Sequence, residues 1–281
     1  MIYVHSDRPV ALITGASSGI GQALSQQLLA QGYEVWGTQR NNAVQHPLSA
    51  ADAYVSCELD LTDSHSIQRL AERLQQRGRL DVLIHNAGYG AIGPILDMPA
   101  ETLEQQFQVN VLAIPALTRA CLPLLEQQPS TVVVIGSVSG VLVTPFAGAY
   151  CASKAAVHAL CQALRMELSV LAINLIEVQP GAIQSHFADR AEHELNRWFS
   201  PQHRWWSWRD GVRKRSTASR NRPTPAETVA TRITRELTRS RPAPIVRVGH
   251  GSKSLILLRY LLPVRWREYL LQRGFGLTRH G

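Results

Sequence analysis

Cysteine is scarce: Cys57, Cys121, Cys151 and Cys161 are scattered over 281 residues, with no CxxC pair and no histidine-rich cluster beside them. This spacing argues against a metal site and a disulfide framework, so no metal is expected. It fits a reducing, cytoplasmic setting in which the thiols are small buried hydrophobes. Long apolar runs are missing too. A spanning helix needs roughly 18 successive apolar residues; the richest stretch, Leu255 to Val264, is interrupted by Arg259. Met1 to Arg8 lacks the basic-then-apolar order of a secretory leader. Charged residues are only 18% against 45% apolar, which excludes a disordered or coiled-coil chain and leaves a globular one. Lysine is rarest where it matters: Lys154 is the only one in the first 213 residues.

The charge that is present is unevenly placed. Residues 1–188 hold 9 Lys and Arg against 14 Asp and Glu, net −5, whereas residues 189–281 hold 20 against 7, net +13. The last third is thus a different electrostatic object from the rest.

Short β-branched runs alternate with amphipathic stretches through the first two-thirds. Strands are expected at Val10 to Thr14, Glu34 to Thr38, Ala53 to Cys57, Val82 to His85, Thr131 to Ile135 and Ile173 to Val178. Helices are expected at Gly19 to Gln31, Ser64 to Arg77, Thr102 to Gln127 and Tyr150 to Val170. Such alternation builds an α/β fold, a doubly wound parallel sheet with helices on both faces, because parallel strands need long crossovers. The pattern breaks after Ser185. Residues 186–223 carry four of the six tryptophans among closely spaced arginines. Thr224-Pro225-Ala226-Glu227 reads as a capping box with Pro at the first helical position, opening a helix to about Thr238. Pro244 to Val248 is a candidate last strand. Residues 1–250 are therefore expected to form one domain with a variable segment at 186–223, and 251–281 an amphipathic helical tail broken at Pro263.

Three places carry chemistry. The first strand runs into Thr14-Gly15-Ala16-Ser17-Ser18-Gly19-Ile20-Gly21 and opens a helix. Glycines there let the backbone approach a pyrophosphate, which free N–H groups of the helix start then hold. The second strand ends in Thr38-Gln39-Arg40 without a carboxylate; Arg40 is either a solvated surface cation or, as its position favours, a partner for a ribose 2′-phosphate, so the cofactor expected is NADP(H). Tyr150 and Lys154, four apart at a helix start, share one face. A phenol with a pKa of about 10 is a poor acid–base group at neutral pH; a neighbouring ammonium is expected to lower it.

Together with Asn86-Ala87-Gly88, Asn110, Ser137 and Pro180-Gly181, these motifs stand in the order and at the approximate spacing of the short-chain dehydrogenases/reductases, which residues 9–186 closely resemble and residues 224–249 loosely. The resemblance implies a Rossmann-type fold and a catalytic set of Asn110, Ser137, Tyr150 and Lys154. It makes Tyr150 the proton donor, Ser137 the hydrogen-bond partner of the carbonyl oxygen and Lys154 the holder of the nicotinamide ribose. Asn110 is implied to position a water that links Lys154 to solvent. Gly15, Ser17, Ser18, Ile20 and Gly21 are implied at the pyrophosphate, Asp60 and Leu61 at the adenine, and Asn86, Ala87 and Gly88 beside the adenosine ribose. Pro180, Gly181, Ile183 and Ser185 fall at the carboxamide end, where the family more often has Thr in place of Ser185.

The basic, aromatic segment 186–223 has three competing readings: a pocket for a bulky apolar substrate, a membrane surface, or a nucleic-acid surface. The tail resembles those of the retinol, hydroxysteroid and acyl-dihydroxyacetone-phosphate reductases, which favours a lipophilic small-molecule substrate and speaks against nucleic acid. Peripheral membrane contact through the tail, an internal lid and a homo-oligomer interface all stay open. The activity expected is carbonyl–alcohol interconversion, with a non-catalytic NADP-binding scaffold as the alternative.

Overall fold

Strand residues point alternately to two faces, and here both faces are buried. Val10 and Leu12 of β1 (Val10–Ile13) enter one core, Ala11 and Ile13 the other. In β5 (Ser130–Ile135), Val132 and Val134 join the first core, and Val133 and Ile135 the second. Burial on both sides is why these strands read as continuous β-branched runs. With β2 (Glu34–Gln39), β3 (Tyr54–Glu58), β4 (Val82–His85), β6 (Ile173–Pro180) and β7 (Ile245–Val248) they form a seven-stranded sheet, ordered β3-β2-β1-β4-β5-β6-β7. Every pairing is parallel. A computed structural model describes residues 7–40, 48 and 51–277 of the chain.

Helices α1 (Gly19–Ala30) and α8 (Ala226–Leu237) cover one face. The other is covered by α2 (Ser64–Arg77), α4 (Ala113–Leu125) and α5 (Gly148–Ser169). Connections from β1 and β4 depart in opposite directions, so the crevice above their C-terminal ends is the place where ligands bind in such sheets. The expected helix at Thr102 to Gln127 is more elaborate than its pattern. It comprises α3 (Ala100–Phe107), a π-helical turn at Gln108–Leu112, and α4. By length and composition this stretch could cross a membrane, with a mean hydropathy of 1.4, yet half of that window is buried in the fold. Its apolar face, including Ile114, Leu117 and Leu124, is spent on the sheet.

Two expectations need correction. Order does not end at Ser185, because α6 (Phe187–Trp198) and α7 (Arg209–Ser216) occupy the variable segment. The buried face of α6 is Ala188, Ala191 and Leu195, a helical spacing that the aromatic and basic composition of the segment masks. The capping box does not form either. Pro225 precedes the first helical residue, Ala226, and no side chain caps α8. Thr224 is drawn instead into an extension of the sheet: its N–H donates to Ala182 O (2.9 Å), and its hydroxyl accepts from the His250 N–H (3.0 Å).

The tail folds as α9 (Ser254–Leu261) and α10 (Val264–Gly274), meeting at Pro263. Arg267, almost fully buried, donates Nη1 to Arg259 O (2.9 Å) and Leu262 O (3.4 Å). A cation on those terminal carbonyls neutralises the negative end of α9 and fixes the bend.

Candidate active site

The crevice between β1 and β4 is stitched by side chains. Asn86, just past β4, donates Nδ2 to Thr14 O and Gly15 O, both at 2.9 Å. Thr14 Oγ1 in return accepts from the N–H groups of Asn86 and Ala87, both at 3.0 Å. Gly15 turns at φ +66°, a conformation that favours glycine. A Cβ on Gly21 would collide with the Gly15 carbonyl and the Asn86 amide. Ser18 leads into α1 without a side-chain cap, and no acidic residue stands in the first turn, so the helix's N–H groups are left for an anion. The cradle therefore fits a dinucleotide pyrophosphate.

A cavity of about 540 Å³ runs from this cradle across the strand ends. Its wall includes Gly15, Ser17, Ser18, Ile20, Arg40, Asp60, Leu61, Asn86, Ala87 and Gly88 on one side. Ser137, Tyr150, Lys154, Pro180, Gly181, Ile183 and Ser185 line it farther on. Of the residues expected from the sequence, only Gly21 and Asn110 stand behind the wall. At the far end of the cradle, Asp60 accepts from the Thr62 N–H (2.8 Å) and hydroxyl (2.7 Å). Those bonds, with a smaller contribution from the Arg40 charge, hold its carboxyl below the usual range.

Tyr150 and Lys154 lie in the first two turns of α5, both buried. Lys154 donates Nζ to Ile135 O at the end of β5 (2.8 Å), and burial draws its pKa down to about 8. Burial also pushes the Tyr150 phenol up; a hydrogen bond from Ser137 and the Arg215 charge oppose that rise. The influences that lower Tyr150 here are Ser137 and Arg215, while the Lys154 ammonium is engaged by the β5 carbonyl.

Asn110 explains the π-helical turn. Its Oδ1 accepts from the Tyr89 N–H (3.1 Å), and its Nδ2 donates to Tyr89 O (2.9 Å) and Ser153 Oγ (3.1 Å). Ser153 Oγ donates to Tyr150 O (2.8 Å). The extra residue of a π turn, a feature common at functional sites, re-aims this amide so that one side chain ties the Gly88–Tyr89 loop to α5. A Cβ on Gly88 would sit 3.1 Å from Asn110 Oδ1, so a side chain there would press on that amide.

Several residues were not legible beforehand. Phe187 packs its ring 5.2 Å from that of Tyr150. Arg190 reaches Ser18 Oγ at 3.5 Å, bridging α6 to the cradle. Leu255, Leu271 and Phe275 bring the tail into the cavity wall, together with Arg215. Trp198, Trp205, Trp206 and Trp208 do not line the cavity; they pack around Phe146, Leu195, Phe199 and Val212 as a second core. The aromatic residues that do line the cavity near Tyr150 and the tail are Phe187 and Phe275 instead, and the four tryptophans stay partly exposed. Which residues of the segment face the cavity depends on α6 and α7; Phe187, Ala188, Ala191, Leu195 and Trp198 recur at helical spacing, a signal that could have placed α6.

Residues 9–196 match the family model described as short chain dehydrogenase. Among curated proteins, the chain is similar to the short-chain dehydrogenase cctT of Talaromyces islandicus, 30% identical over 279 residues that cover 96% of each chain. It is also similar to the NADPH-dependent 1-acyldihydroxyacetone phosphate reductase of Saccharomyces cerevisiae, 29% identical over 97% of this chain and 93% of that one. Among solved structures, a short-chain dehydrogenase from Streptomyces avermitilis superposes with a TM-score of 0.79, at 27% identity over 98% of this chain and all of the other.

The low pKa of Lys154 is directly measurable, because the chain has only three lysines, Lys154, Lys214 and Lys253. With 13Cε-lysine labelling, the resonance that disappears in Lys154→Arg should titrate with a midpoint near pH 8. The ammonium is held below that midpoint and lost above it. A midpoint above 10 would contradict the burial argument.

Proposed function

The chain belongs to the short-chain dehydrogenase family, and from that premise we propose that it is an NADP(H)-dependent oxidoreductase interconverting a carbonyl and an alcohol on a lipophilic substrate. The observation that carries the reading is the convergence of Ser137, Tyr150 and Lys154 on the cavity that begins at the glycine cradle. Bound there, NADP(H) supplies or accepts the hydride. Gly15, Ser17, Ser18 and Ile20, with the first N–H groups of α1, hold its pyrophosphate; Gly21 keeps the approach clear. Asp60, Leu61 and the Asn86–Gly88 turn border the adenosine half, and Arg40 pairs with the 2′-phosphate. Pro180, Gly181, Ile183 and Ser185 border the carboxamide end.

In reduction Tyr150 gives its proton to the substrate oxygen, and in oxidation it takes the proton back. Burial keeps the phenol protonated and so ready as an acid. Ser137 donates to the same oxygen as negative charge grows on it, a contact stronger in the transition state than before it. Lys154 holds the ribose, and Asn110 acts as a positioning residue through Ser153 and Tyr89. With proton donor, serine and lysine all present, no observation favours a non-catalytic scaffold.

Apolar side chains at the far end of the cavity, Leu142, Leu255, Leu271 and Phe275, support a lipophilic substrate. So does the acylated substrate named for the yeast relative. The tail has two faces. Its inner residues line the cavity, while Leu257, Tyr260, Leu261 and Trp266 are exposed beside Arg259 and Arg265. An apolar face among cations suits peripheral contact with an anionic membrane.

Three measurements follow from this reading. Tyr150→Phe removes only the transferred proton, so turnover of a hydrophobic ketone should fall about 100-fold or more, with the NADPH Kd within a few-fold of wild type. Near-normal turnover would sink the mechanism. Arg40→Ala should erode the preference for NADPH over NADH by about ten-fold or more, the worth of a charge-assisted contact of roughly 1.5–3 kcal/mol. Equal use of both cofactors by the wild type would remove Arg40 from the site. Finally, the protein should sediment with anionic vesicles, be released by salt, and bind neutral vesicles less. No binding would leave the tail as a lid alone, and salt-insensitive binding would rule out the electrostatic contact.

A further inference from the structure

Arg215, on α7, is only 8% exposed, yet it lines the cavity. Its Nε donates to Thr144 Oγ1 at 2.7 Å. Among the described residues no carboxylate pairs with it. Among the described residues neither terminal nitrogen has a hydrogen-bond partner, and the side chain is part of the cavity wall. A guanidinium is charged at every working pH, and burying one without a counter-charge is costly. The other cations on the cavity wall are accounted for. Arg40 stands at the end of β2, Arg190 touches Ser18 of the cradle, and Lys154 is held by Ile135. Arg215 stands apart from them, beyond Tyr150 and beside the tail, and its charge is felt at the Tyr150 phenol.

We propose that Arg215 determines specificity by binding an anionic group on the substrate, a carboxylate or phosphate ester, close to the carbonyl turned over at Tyr150. The inference rests on the oxidoreductase reading and narrows its substrate class to anionic amphiphiles. The anion sits on the guanidinium edge not used by Thr144, a geometry suited to two parallel hydrogen bonds. The carbonyl lies at Ser137 and Tyr150, and the chain runs along Leu142, Leu271 and Phe275. A basic residue at this point also selects against neutral ketones of equal length, because they leave the buried cation unpaired.

The test compares 3-oxododecanoate with its methyl ester at saturating NADPH, below their micelle concentrations, in full-length protein. Wild type should show kcat/KM for the acid at least ten-fold above that for the ester. Arg215→Gln should bring the ratio close to one, and Arg215→Lys should retain part of it. If Gln at 215 prevents folding, the Lys variant carries the comparison. A second arm reads binding without chemistry: dodecanoate, dodecyl phosphate and dodecanol are titrated onto the NADP+-loaded protein by tryptophan fluorescence. Either or both anions should bind at least ten-fold tighter than dodecanol, and the tighter one identifies the head group. That margin should shrink in Arg215→Gln. If neither ketone is reduced but the anion margin stands, the catalytic reading fails and the anion site survives. Equal affinity for dodecanol and both anions overturns the proposal. So does an equal loss on acid and ester in the variant, or a ten-fold loss of NADPH affinity with the acid-to-ester ratio intact, which would assign Arg215 to the cofactor.

Discussion

Everything at this site hangs from the Asn86 carboxamide. By donating to Thr14 O and Gly15 O it joins the ends of β1 and β4, two strands whose connections leave in opposite directions. The ladder and Thr14 already hold the two strand ends together; the Asn86 carboxamide carries that tie one residue further, to the Gly15 turn where the cradle must be narrow. The same contact explains why Gly21 accepts no side chain, since a Cβ would occupy the space of the Asn86 amide and the Gly15 carbonyl. The sheet supplies a crevice by its topology; Asn86 and Thr14 turn it into a binding surface of fixed shape.

A second amide extends that order to the proton donor. Asn110 belongs to the long helix beneath the sheet, and its π-helical turn lets it grip the backbone of Tyr89 and the hydroxyl of Ser153 together. The chain of contacts thus runs from the cradle through the Gly88–Tyr89 loop to α5, which carries Tyr150 and Lys154. Burial then sets the chemistry. A desolvated phenol holds its proton and a desolvated ammonium gives up its own more readily, so both groups are moved toward their neutral forms. Ser137 and Arg215 act against that drift at Tyr150.

The sheet was legible because its central strands are buried on both faces, so that β1 is apolar throughout and β4 and β5 nearly so. Val82–His85 and Ser64–Arg77 fall where their patterns placed them. The cradle and the Tyr150–Lys154 spacing were legible because backbone approach and helix geometry demand particular residues at particular intervals. What stayed hidden has physical reasons. A π turn is one extra residue in a hydrogen-bond ladder and has no composition of its own. Helix α6 does show a helical period, masked by the tryptophans and arginines around it, and α7 is so rich in arginine that it looks like solvated surface. Arg215 is indistinguishable in sequence from Arg213 two positions earlier, although only Arg215 faces the cavity. The Thr224 motif carried a genuine helix-start signal, but the competing pull of Ala182 and His250 used its backbone and hydroxyl for the sheet edge instead.

The central claim is that this cavity transfers hydride between a nicotinamide and a carbonyl carbon. The most direct measurement uses NADPH deuterated at both positions of nicotinamide C4, a lipophilic ketone and mass spectrometry of the product. Hydride transfer predicts one deuterium on the carbinol carbon of every product molecule, in step with NADPH consumed. Alcohol formed without deuterium, or NADPH oxidised with the ketone unchanged, would contradict it.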